Sequence, residues 1–415
     1  MRMPARCAVQ RLMRPDSPSK LNRIAPLWIQ PLRWLTYICV LCYYRTAYRI
    51  RSWGGLPHKR GPSLIVINHQ HDIESAVVVA TLGTGSLSWR YPIYTVSSRR
   101  MWEPGFFAHR IAWLRFALRG VNFGWLFSSL GMQPIENELH ARALSSLTYM
   151  LQTLYGDVPL AAVFREDALA RFGSTFKMLS DVSKSPHLPA AQQKASLSDL
   201  KEPYRTEALA ATRAQLDTDL ANFETLTRDG ATIFLAPEAF YTGDGKMQRL
   251  RGILPKLAPL SRIWICGISF DPFVGRRLSM LFRVDAAVDG VPLDIQLKRL
   301  RPVTVSALLG TWLQSAPTEF CSGDAVEAVV RQLSDLPPRL FVDPELRRRP
   351  EALVRSALRG LVRLGTLKAD GDRFTLTTQR THPQFPQTSD IIAYQFNFHA
   401  ETLAGAQFAE SQQSA

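Results

Sequence analysis

Cysteine is scarce in this sequence, with five residues scattered over a chain of 415. They are Cys7, Cys39, Cys42, Cys266 and Cys321. Such an odd and dispersed set argues against a disulfide framework and for a reducing compartment. Cys39 and Cys42 form a C-x-x-C pair, but they lie in an apolar run with no second pair or histidine nearby. We therefore interpret the pair as two buried helix residues rather than as a redox or zinc site.

The beginning of the chain has almost no acidic residues and no long apolar run. Its opening stretch, MRMPARCAVQRLMRP, is rich in arginine, and no apolar core of the secretory type follows it directly. We predict a disordered basic arm over residues 1–24, with an organelle transit peptide as the alternative.

An aromatic segment follows this arm. Residues 27–44, LWIQPLRWLTYICVLCYY, are interrupted by Pro31 and Arg33, so the clean apolar run is too short to span a bilayer. Several cations come directly after it: Arg45, Arg49, Arg51, Lys59 and Arg60. Aromatic anchors beside basic residues are typical of helices that lie on a membrane surface. We predict a membrane-interfacial helical segment over residues 25–60, and the alternative is a buried helix with a basic flank.

Composition excludes some classes of protein. A hydrophobic content of 46% is that of a globular protein with a substantial core, which excludes a chain that is disordered throughout. The 50 Lys and Arg residues outnumber the 35 Asp and Glu residues, for a formal net charge of +15. Such a surface attracts anionic membranes, nucleic acid or phosphorylated ligands, and the charge alone does not distinguish among them.

Short β-branched runs alternate with helical patterns through the middle of the chain. We predict four strands, over Leu64–Ile67, Tyr91–Val96, Thr232–Leu235 and Ile263–Ser269. A further element ends in the stretch GMQPIEN, a helix runs from Thr206 to Gly230, and an insertion over about 157–204 is predicted as a loop or lid. This succession predicts an α/β fold with a mostly parallel twisted sheet flanked by helices, over residues 61–310. Ligands of such sheets bind at the carboxyl ends of the strands.

The C-terminal part has a different pattern. An apolar stripe predicts a helix, formed by Leu353, Ala357, Leu361 and Leu364. The stretch TLKADGDRFTLTT then predicts a hairpin around Asp370 and Gly371. We predict a small α+β winged-helix-like unit over residues 335–400 and a frayed tail over residues 401–415. Three arginines share one face of the helix, and we interpret them as a solvated face with DNA contact as the alternative: Arg355, Arg359 and Arg363.

One turn carries the residue types that acyl transfer to an alcohol requires. In NHQHDIE, His69 follows a strand and Glu74 lies near the first turn of the next helix. A neutral imidazole can take the proton of an attacking hydroxyl, and a carboxylate on its other ring nitrogen fixes the tautomer and stabilises the cation. A thioester donor needs no metal or covalent intermediate, and backbone N–H groups near the helix start can hold the oxyanion. We therefore predict His69 as general base, oriented by Glu74.

Four blocks of the sequence resemble the glycerolipid acyltransferases, the family that includes glycerol-3-phosphate and lysophosphatidic acid acyltransferases. The first block of that family reads roughly N-H-x-x-x-x-D; Asn68 and His69 match it, and Glu74 stands at the aspartate with one more methylene. The third block resembles F-P-E-G-T followed by a basic stretch, and here it reads APEAF and then DGKMQRLRG. The resemblance implies that Glu238 orients the acceptor or the turn. It also implies an anionic group near three cations: Lys246, Arg249 and Arg251.

The other two blocks complete the order of the family. The stretch GMQPIEN resembles the second block, G-x-I-P-x-x-R, but Asn137 replaces the arginine that the family ties to the acceptor phosphate. The stretch IWICGISFD resembles the apolar strand of the fourth block. The resemblance covers about residues 27–271 and does not include the C-terminal region. Asn68 and Asn137 are therefore added to the predicted substrate-binding residues.

The resemblance implies a fold of the glycerol-3-phosphate acyltransferase type and a function in phospholipid biosynthesis or remodelling. The enzyme would move a fatty acyl group from acyl-CoA or acyl carrier protein, as co-substrate, to a hydroxyl of a lysophospholipid or glycerol phosphate. We expect no further cofactor and no metal. Membrane lipids and the acyl donor are the expected partners, at the cytoplasmic face of a membrane, and nucleic acid is not expected.

Other interpretations of these residues remain open. Two histidines and two carboxylates of the first block have a spacing that also suits a metal site: His69, His71, Asp72 and Glu74. Glu238 could be a carboxylate at a helix start, and the three cations of the third block could be solvated. At the level of function, the alternatives are a lipid-binding or scaffolding protein without catalysis, an enzyme for an acceptor without phosphate, and a DNA-binding regulator.

Overall fold

The computed structural model describes residues 29–55, 61–85, 93–108, 114–136, 141–173, 176–238, 241–250 and 253–413. The chain forms two compact units. Unit 1 comprises residues 1–33 and 94–229, and unit 2 comprises residues 34–93 and 230–415. The predicted basic arm over residues 1–24 lies outside the described residues, as do Asn137 and Arg251.

Helices and strands alternate along the described chain. The helices are α1 Ile29–Ala47, α2 Glu74–Gly85, α3 Arg115–Leu118, α4 Gly124–Ser129, α5 Leu144–Tyr155, α6 Leu160–Val163, α7 Glu166–Phe172, α8 Leu179–Ser183, α9 Tyr204–Arg228, α10 Leu254–Leu257, α11 Leu293–Leu300, α12 Val305–Leu313, α13 Ser322–Ser334, α14 Pro344–Arg348, α15 Pro350–Arg363 and α16 Ile391–Gln413. The strands are β1 Tyr48–Gly54, β2 Ser63–Ile67, β3 Ile93–Ser98, β4 Met132–Ile135, β5 Ala141–Ala143, β6 Lys194–Ser196, β7 Thr232–Leu235, β8 Arg262–Asp271, β9 Leu278–Ala286, β10 Glu319–Cys321, β11 Leu367–Asp370 and β12 Arg373–Leu376. Short 3-10 helices cover Arg99–Trp102, Pro189–Gln192, Leu197–Asp199 and Ala258–Leu260.

The main sheet of unit 2 has the strand order β1, β9, β8, β2, β7. Strands β8 and β9 are antiparallel, and the other neighbours are parallel. Strands β2 (SLIVI) and β7 (TIFL) are buried almost throughout, as parallel strands are when both faces of a sheet are covered. The predicted α/β class with a mostly parallel sheet and flanking helices is confirmed for this unit.

Most predicted elements lie within a few residues of the observed ones. Strand β7 coincides with the predicted Thr232–Leu235, and β3 covers the described part of the predicted Tyr91–Val96 and extends to Ser98. Helix α9 begins at Tyr204 and ends at Arg228, before the predicted stop at Gly230.

The C-terminal helices share the hydrophobic core of the sheet. Ile65 in β2, Phe270 in β8, Leu308 in α12 and Leu361 in α15 belong to one buried cluster. The approach is close, because a Cβ on Gly360 of α15 would lie 1.7 Å from the carbonyl oxygen of Phe273. The predicted helix and hairpin of this region are present as α15, β11 and β12, and β10 joins the hairpin in a small antiparallel sheet. This region is therefore packed into unit 2.

Unit 1 has a core of its own. Strands β3 and β4 are parallel neighbours, and β5 pairs with β6 antiparallel. Its buried cluster comes from short helices and turns between residues 144 and 208 and includes Leu147, Leu160, Val163, Phe164, Phe172, Leu179 and Val182. The prediction of a loop or lid over about 157–204 is therefore wrong. Each apolar segment there is too short for a recognisable period, and only together do they bury a core.

Three further expectations need correction. The predicted interfacial segment over residues 25–60 contains a helix, α1, but it continues into β1, which pairs with β9. The predicted frayed tail is wrong, because α16 extends to Gln413. Cys39 and Cys42 lie on α1 as expected, but both are exposed rather than buried. Within the described part of the chain, no helix is long and apolar enough to cross a bilayer.

Candidate active site

The turn between β2 and α2 brings His69 and Glu74 together. Strand β2 ends at Ile67, and α2 begins at Glu74, so the turn returns the carboxylate to the imidazole. His69 Nδ1 lies 2.8 Å from Glu74 Oε2. Glu74 is fully buried, whereas the side chain of His69 is 17% exposed. The predicted pair is therefore formed within unit 2, with the imidazole accessible and the carboxylate enclosed.

A second bond holds Glu74 in place. Its Oε1 accepts the backbone N–H of Gln70 at 2.7 Å. With both carboxylate oxygens engaged, an ionised Glu74 requires the hydrogen of the neutral His69 ring on Nδ1. The remaining ring nitrogen, Nε2, is then the acceptor that general-base chemistry uses.

The protonation of His69 reflects opposing effects. Burial lowers its pKa, but the hydrogen bond and charge of Glu74, together with Glu238 and Asp72, outweigh burial and raise the pKa above its ordinary value of 6.5. Burial raises the pKa of Glu74, and its bonds to His69 and to the turn oppose that rise. An imidazole with a raised pKa is a stronger base while it remains partly neutral near neutral pH.

Asn68 connects the end of β2 to β8. Its Nδ2 donates to the carbonyl oxygen of Ile268 at 3.0 Å, and its Oδ1 accepts the backbone N–H of Ile268 at 2.7 Å. Asn68 is fully buried. The amide therefore fixes the point at which the chain leaves the sheet, immediately before His69.

Glu238 holds the same turn from the end of β7. Its Oε1 accepts the backbone N–H of His69 at 2.8 Å, and its Oε2 accepts the backbone N–H of Gln248 at 2.7 Å. Burial raises the pKa of Glu238 to about 7, whereas the two N–H groups and the charge of Arg301 favour its ionised form. The carboxylate orients the turn, which is one of the two roles that the resemblance implied.

The loop over residues 241–250 lies beside His69. The ring of Tyr241 packs edge-on against the imidazole, with ring centroids 5.1 Å apart. The loop is ordered locally, because Asp244 Oδ1 accepts the backbone N–H of Lys246 at 3.0 Å. Lys246 and Arg249 are exposed on this loop, where an anionic ligand can reach them.

Sequence reasoning missed two charged residues of the site, Arg301 and Glu401. The side chain of Arg301 is 2% exposed, and its Nη1 lies 3.2 Å from Glu401 Oε2. The guanidinium also lies over the ring of Phe398, 4.3 Å from its centroid. A spacing of i, i+4 and i+7 places Tyr394, Phe398 and Glu401 on one side of α16, and this pattern is the signal that could have indicated a buried helix face.

His71 points away from the predicted base. Its Nε2 donates to the carbonyl oxygen of Gln384 at 2.9 Å, and its ring packs against Phe270 and Phe385. Burial lowers its pKa. The described residues contain no group of three or more side chains that could hold a metal ion, so the metal interpretation has no geometric support there.

Two backbone N–H groups of the turn are already occupied by carboxylates. That of His69 donates to Glu238, and that of Gln70 donates to Glu74. They stabilise the turn, so the oxyanion of an acyl-transfer intermediate would need other donors.

Comparison with known proteins adds no family assignment. No protein-family model matches the chain, and no curated protein matches it significantly. The geometry around His69 is therefore the basis for a functional proposal.

Proposed function

We propose that this protein is an O-acyltransferase that moves a fatty acyl group from a thioester to a hydroxyl group. The observation that carries the proposal is the 2.8 Å contact between His69 Nδ1 and the fully buried Glu74. A buried carboxylate that orients a partly exposed imidazole is the arrangement that general-base activation of a hydroxyl requires.

The residues of the turn account for the proton transfers of the reaction. His69 Nε2 takes the proton of the acceptor hydroxyl as its oxygen attacks the thioester carbonyl carbon. The tetrahedral intermediate collapses, the carbon–sulfur bond breaks, and the thiolate takes the proton from the imidazolium. Glu74 stabilises the imidazolium between these steps, and Glu238 keeps the main chain of His69 in position.

The resemblance to glycerolipid acyltransferases suggests the substrates. The donor is acyl-CoA or acyl carrier protein, and the acceptor is a lysophospholipid or glycerol phosphate. Lys246 and Arg249, exposed on the loop beside His69, are the cations that would meet the acceptor's anionic group, with Arg251 following them. Asn137, in place of an arginine, makes an acceptor without phosphate the second possibility.

A membrane surface is the proposed location, at its cytoplasmic face. Helix α1 exposes large apolar side chains, with Trp34 46%, Leu35 54% and Tyr43 70% exposed. Arg45 and Arg277 are exposed as well, and Arg277 Nη1 donates to the carbonyl oxygen of Arg45 at 3.0 Å. Apolar anchors beside cations favour binding to anionic lipid.

We propose a winged-helix-like unit in the C-terminal part of unit 2, built from α13, α15 and the small sheet of β10, β11 and β12. Arg355, Arg359 and Arg363 are exposed. We interpret them as a solvated face, and salt-dependent retention of duplex DNA by the full chain would favour the DNA-binding alternative.

One experiment tests the proposal. Purified protein is incubated with labelled acyl-CoA or acyl carrier protein and a panel of phosphorylated and unphosphorylated acceptors, with His69→Ala as background. We expect an ester product that requires His69. Product only on acceptors without phosphate would remove the role of Lys246 and Arg249, and no product with any acceptor would favour a lipid-binding protein without catalysis.

A further inference from the structure

The C-terminal segment over residues 384–401, which lies outside the blocks of the resemblance, contacts the turn that carries His69. The carbonyl oxygen of Gln384 accepts a hydrogen bond from His71 Nε2 at 2.9 Å. Gln387 Nε2 donates to the carbonyl oxygen of Gln70 at 3.1 Å. The segment therefore bonds to two consecutive residues of the turn, Gln70 and His71, which directly follow His69.

The same segment holds the loop over residues 241–250. Asn397 Nδ2 donates to the carbonyl oxygen of Asp244 at 3.0 Å. Glu401 Oε2 accepts the backbone N–H of Met247 at 2.8 Å. These bonds come from α16 and reach the loop that places Tyr241 against His69.

Two glycines of the loop allow this close approach. A Cβ on Gly243 would lie 2.4 Å from the carbonyl oxygen of Gln387. Gly245 has φ +81, and a Cβ there would lie 2.3 Å from the carbonyl oxygen of Tyr394. Because both obstacles are backbone atoms, the loop and the C-terminal segment fit each other without room for a side chain.

Arg301 and Glu401 add a buried ion pair to this contact. Arg301 is almost completely buried, and the described residues offer no hydrogen-bond partner to its Nε. The positive charge of Arg301 opposes the rise in the pKa of Glu238, the carboxylate that holds the backbone of His69. Burial of such a charge carries a desolvation cost, which favours a functional role for its position beside the site.

We propose that the Arg301–Glu401 ion pair is a positioning element of the active site. Glu401 fixes the loop beside His69 through the backbone of Met247, and Arg301 supplies a positive charge that favours the ionised form of Glu238. The inference rests on the proposed function, because it assigns these residues a part in the same reaction. Neither residue touches the reacting atoms.

Among the described residues, the charged and titratable groups that act on Glu238 come from four places in unit 2: His69 after β2, Glu74 in α2, Arg301 after α11 and Tyr394 in α16. Burial raises the pKa of Tyr394, so it stays neutral. Lys298 Nζ lies 3.9 Å from Glu401 Oε1 and shares that carboxylate with Arg301. Removal of a positive charge here raises the pKa of nearby groups, and removal of a negative charge lowers it.

The test compares Arg301→Met with Glu401→Gln in the pH profile of kcat/KM. We expect the acidic limb to move to higher pH in Arg301→Met and to lower pH in Glu401→Gln, each by about half a pH unit or more. If the two substitutions only damaged the structure, both variants would lose kcat, and their acidic limbs would not move in opposite directions. Parallel shifts, or none, would overturn the inference.

The matched control is the exposed pair Arg331 and Glu327, whose side chains are 71% and 72% exposed. Arg331→Met and Glu327→Gln should leave rate and profile unchanged. If a single variant of the buried pair does not fold, the double variant Arg301→Met with Glu401→Gln and the separate variant Asn397→Ala replace it.

In the double variant the two charge changes offset each other, so the acidic limb should stay near that of wild type while kcat falls, and Asn397→Ala should lower kcat several-fold without moving the limb. Wild-type kcat in both variants would overturn the inference. His69→Ala distinguishes the two levels: if it retains wild-type activity, the proposed function fails. If His69→Ala is inactive while the Arg301 and Glu401 variants behave like the Arg331 and Glu327 controls, only this inference fails.

Discussion

Glu238 accepts the backbone N–H of His69 at 2.8 Å, so a carboxylate at the end of β7 holds the main chain at the end of β2. Strands β2 and β7 are parallel neighbours, which brings their carboxyl ends to the same edge of the sheet. The second oxygen of Glu238 holds Gln248 in the adjacent loop. One side chain thus fixes both the turn with His69 and the loop beside it.

Replacement of Glu238 by Gln tests this relationship. The amide has one accepting oxygen where the carboxylate has two, so the N–H of His69 or of Gln248 loses its partner. We expect kcat to fall about tenfold or more, because small displacements of a base are costly. The exposed Glu327→Gln serves as control, and kcat equal to wild type in Glu238→Gln would contradict the role.

The length of Glu74 is a second test. The side chain starts at the first residue of α2 and reaches Nδ1 of His69 at 2.8 Å, so an aspartate would leave a gap of about one methylene. Although the family that the sequence resembles has aspartate at this position, we expect Glu74→Asp to lower kcat by about 10- to 100-fold. Faster turnover in Glu74→Asp would contradict this geometry.

Glu74→Gln separates charge from length. It removes the negative charge that raises the pKa of His69, so the acidic limb of the kcat/KM profile should move to lower pH while kcat falls. An unmoved limb would show that Glu74 does not set the protonation of the base.

The buried amide of Asn68 predicts a loss of stability on truncation. Asn68→Ala leaves the N–H and the carbonyl oxygen of Ile268 without their buried partner. We expect the free energy of unfolding to fall by about 2–4 kcal/mol, measured by urea denaturation. The half-buried Asn222→Ala is the control, and an equal effect in both variants would contradict the structural role of Asn68.

His399 predicts a dependence of stability on pH. Burial lowers its pKa to about 4, from an ordinary value of 6.5. Between these values the unfolded chain binds a proton that the folded chain does not, so the free energy of unfolding falls as the pH falls through this window. In His399→Phe the drop in Tm between about pH 7 and about pH 5 should be smaller than in wild type.

Other groups do not hide this effect. Burial also lowers the pKa of His382 to about 4, but this residue is present in both proteins and contributes the same drop in Tm to each. Glu238, whose pKa is raised to about 7, contributes in the opposite direction and cancels in the comparison. The same drop in Tm in both proteins would contradict the assignment to His399.

Local patterns in the sequence predict the turn that carries His69 and the surrounding strands. Strand β7 and the turn with His69 are predictable because a β-branched run and a helix start depend on residues that are adjacent in the sequence. The partner Glu74 is only five residues from His69, which a turn can close.

Contacts between distant parts of the chain were not predictable in this way. Glu401 reaches Met247 from 154 residues away, and a helical period shows that one face is buried without showing what covers it. Arg301 was missed because arginine is rarely buried, so sequence alone places it on the surface. The insertion in unit 1 was missed because its core is shared among short segments.

The most direct measurement is the acyl-transfer rate of His69→Ala beside that of His187→Ala, a half-buried histidine of unit 1. Circular dichroism first establishes that both variants are folded. If His69 is the base, His69→Ala should lose about 100-fold or more in kcat, while His187→Ala keeps the wild-type rate. A folded His69→Ala that transfers acyl groups as fast as wild type would contradict the assignment of His69.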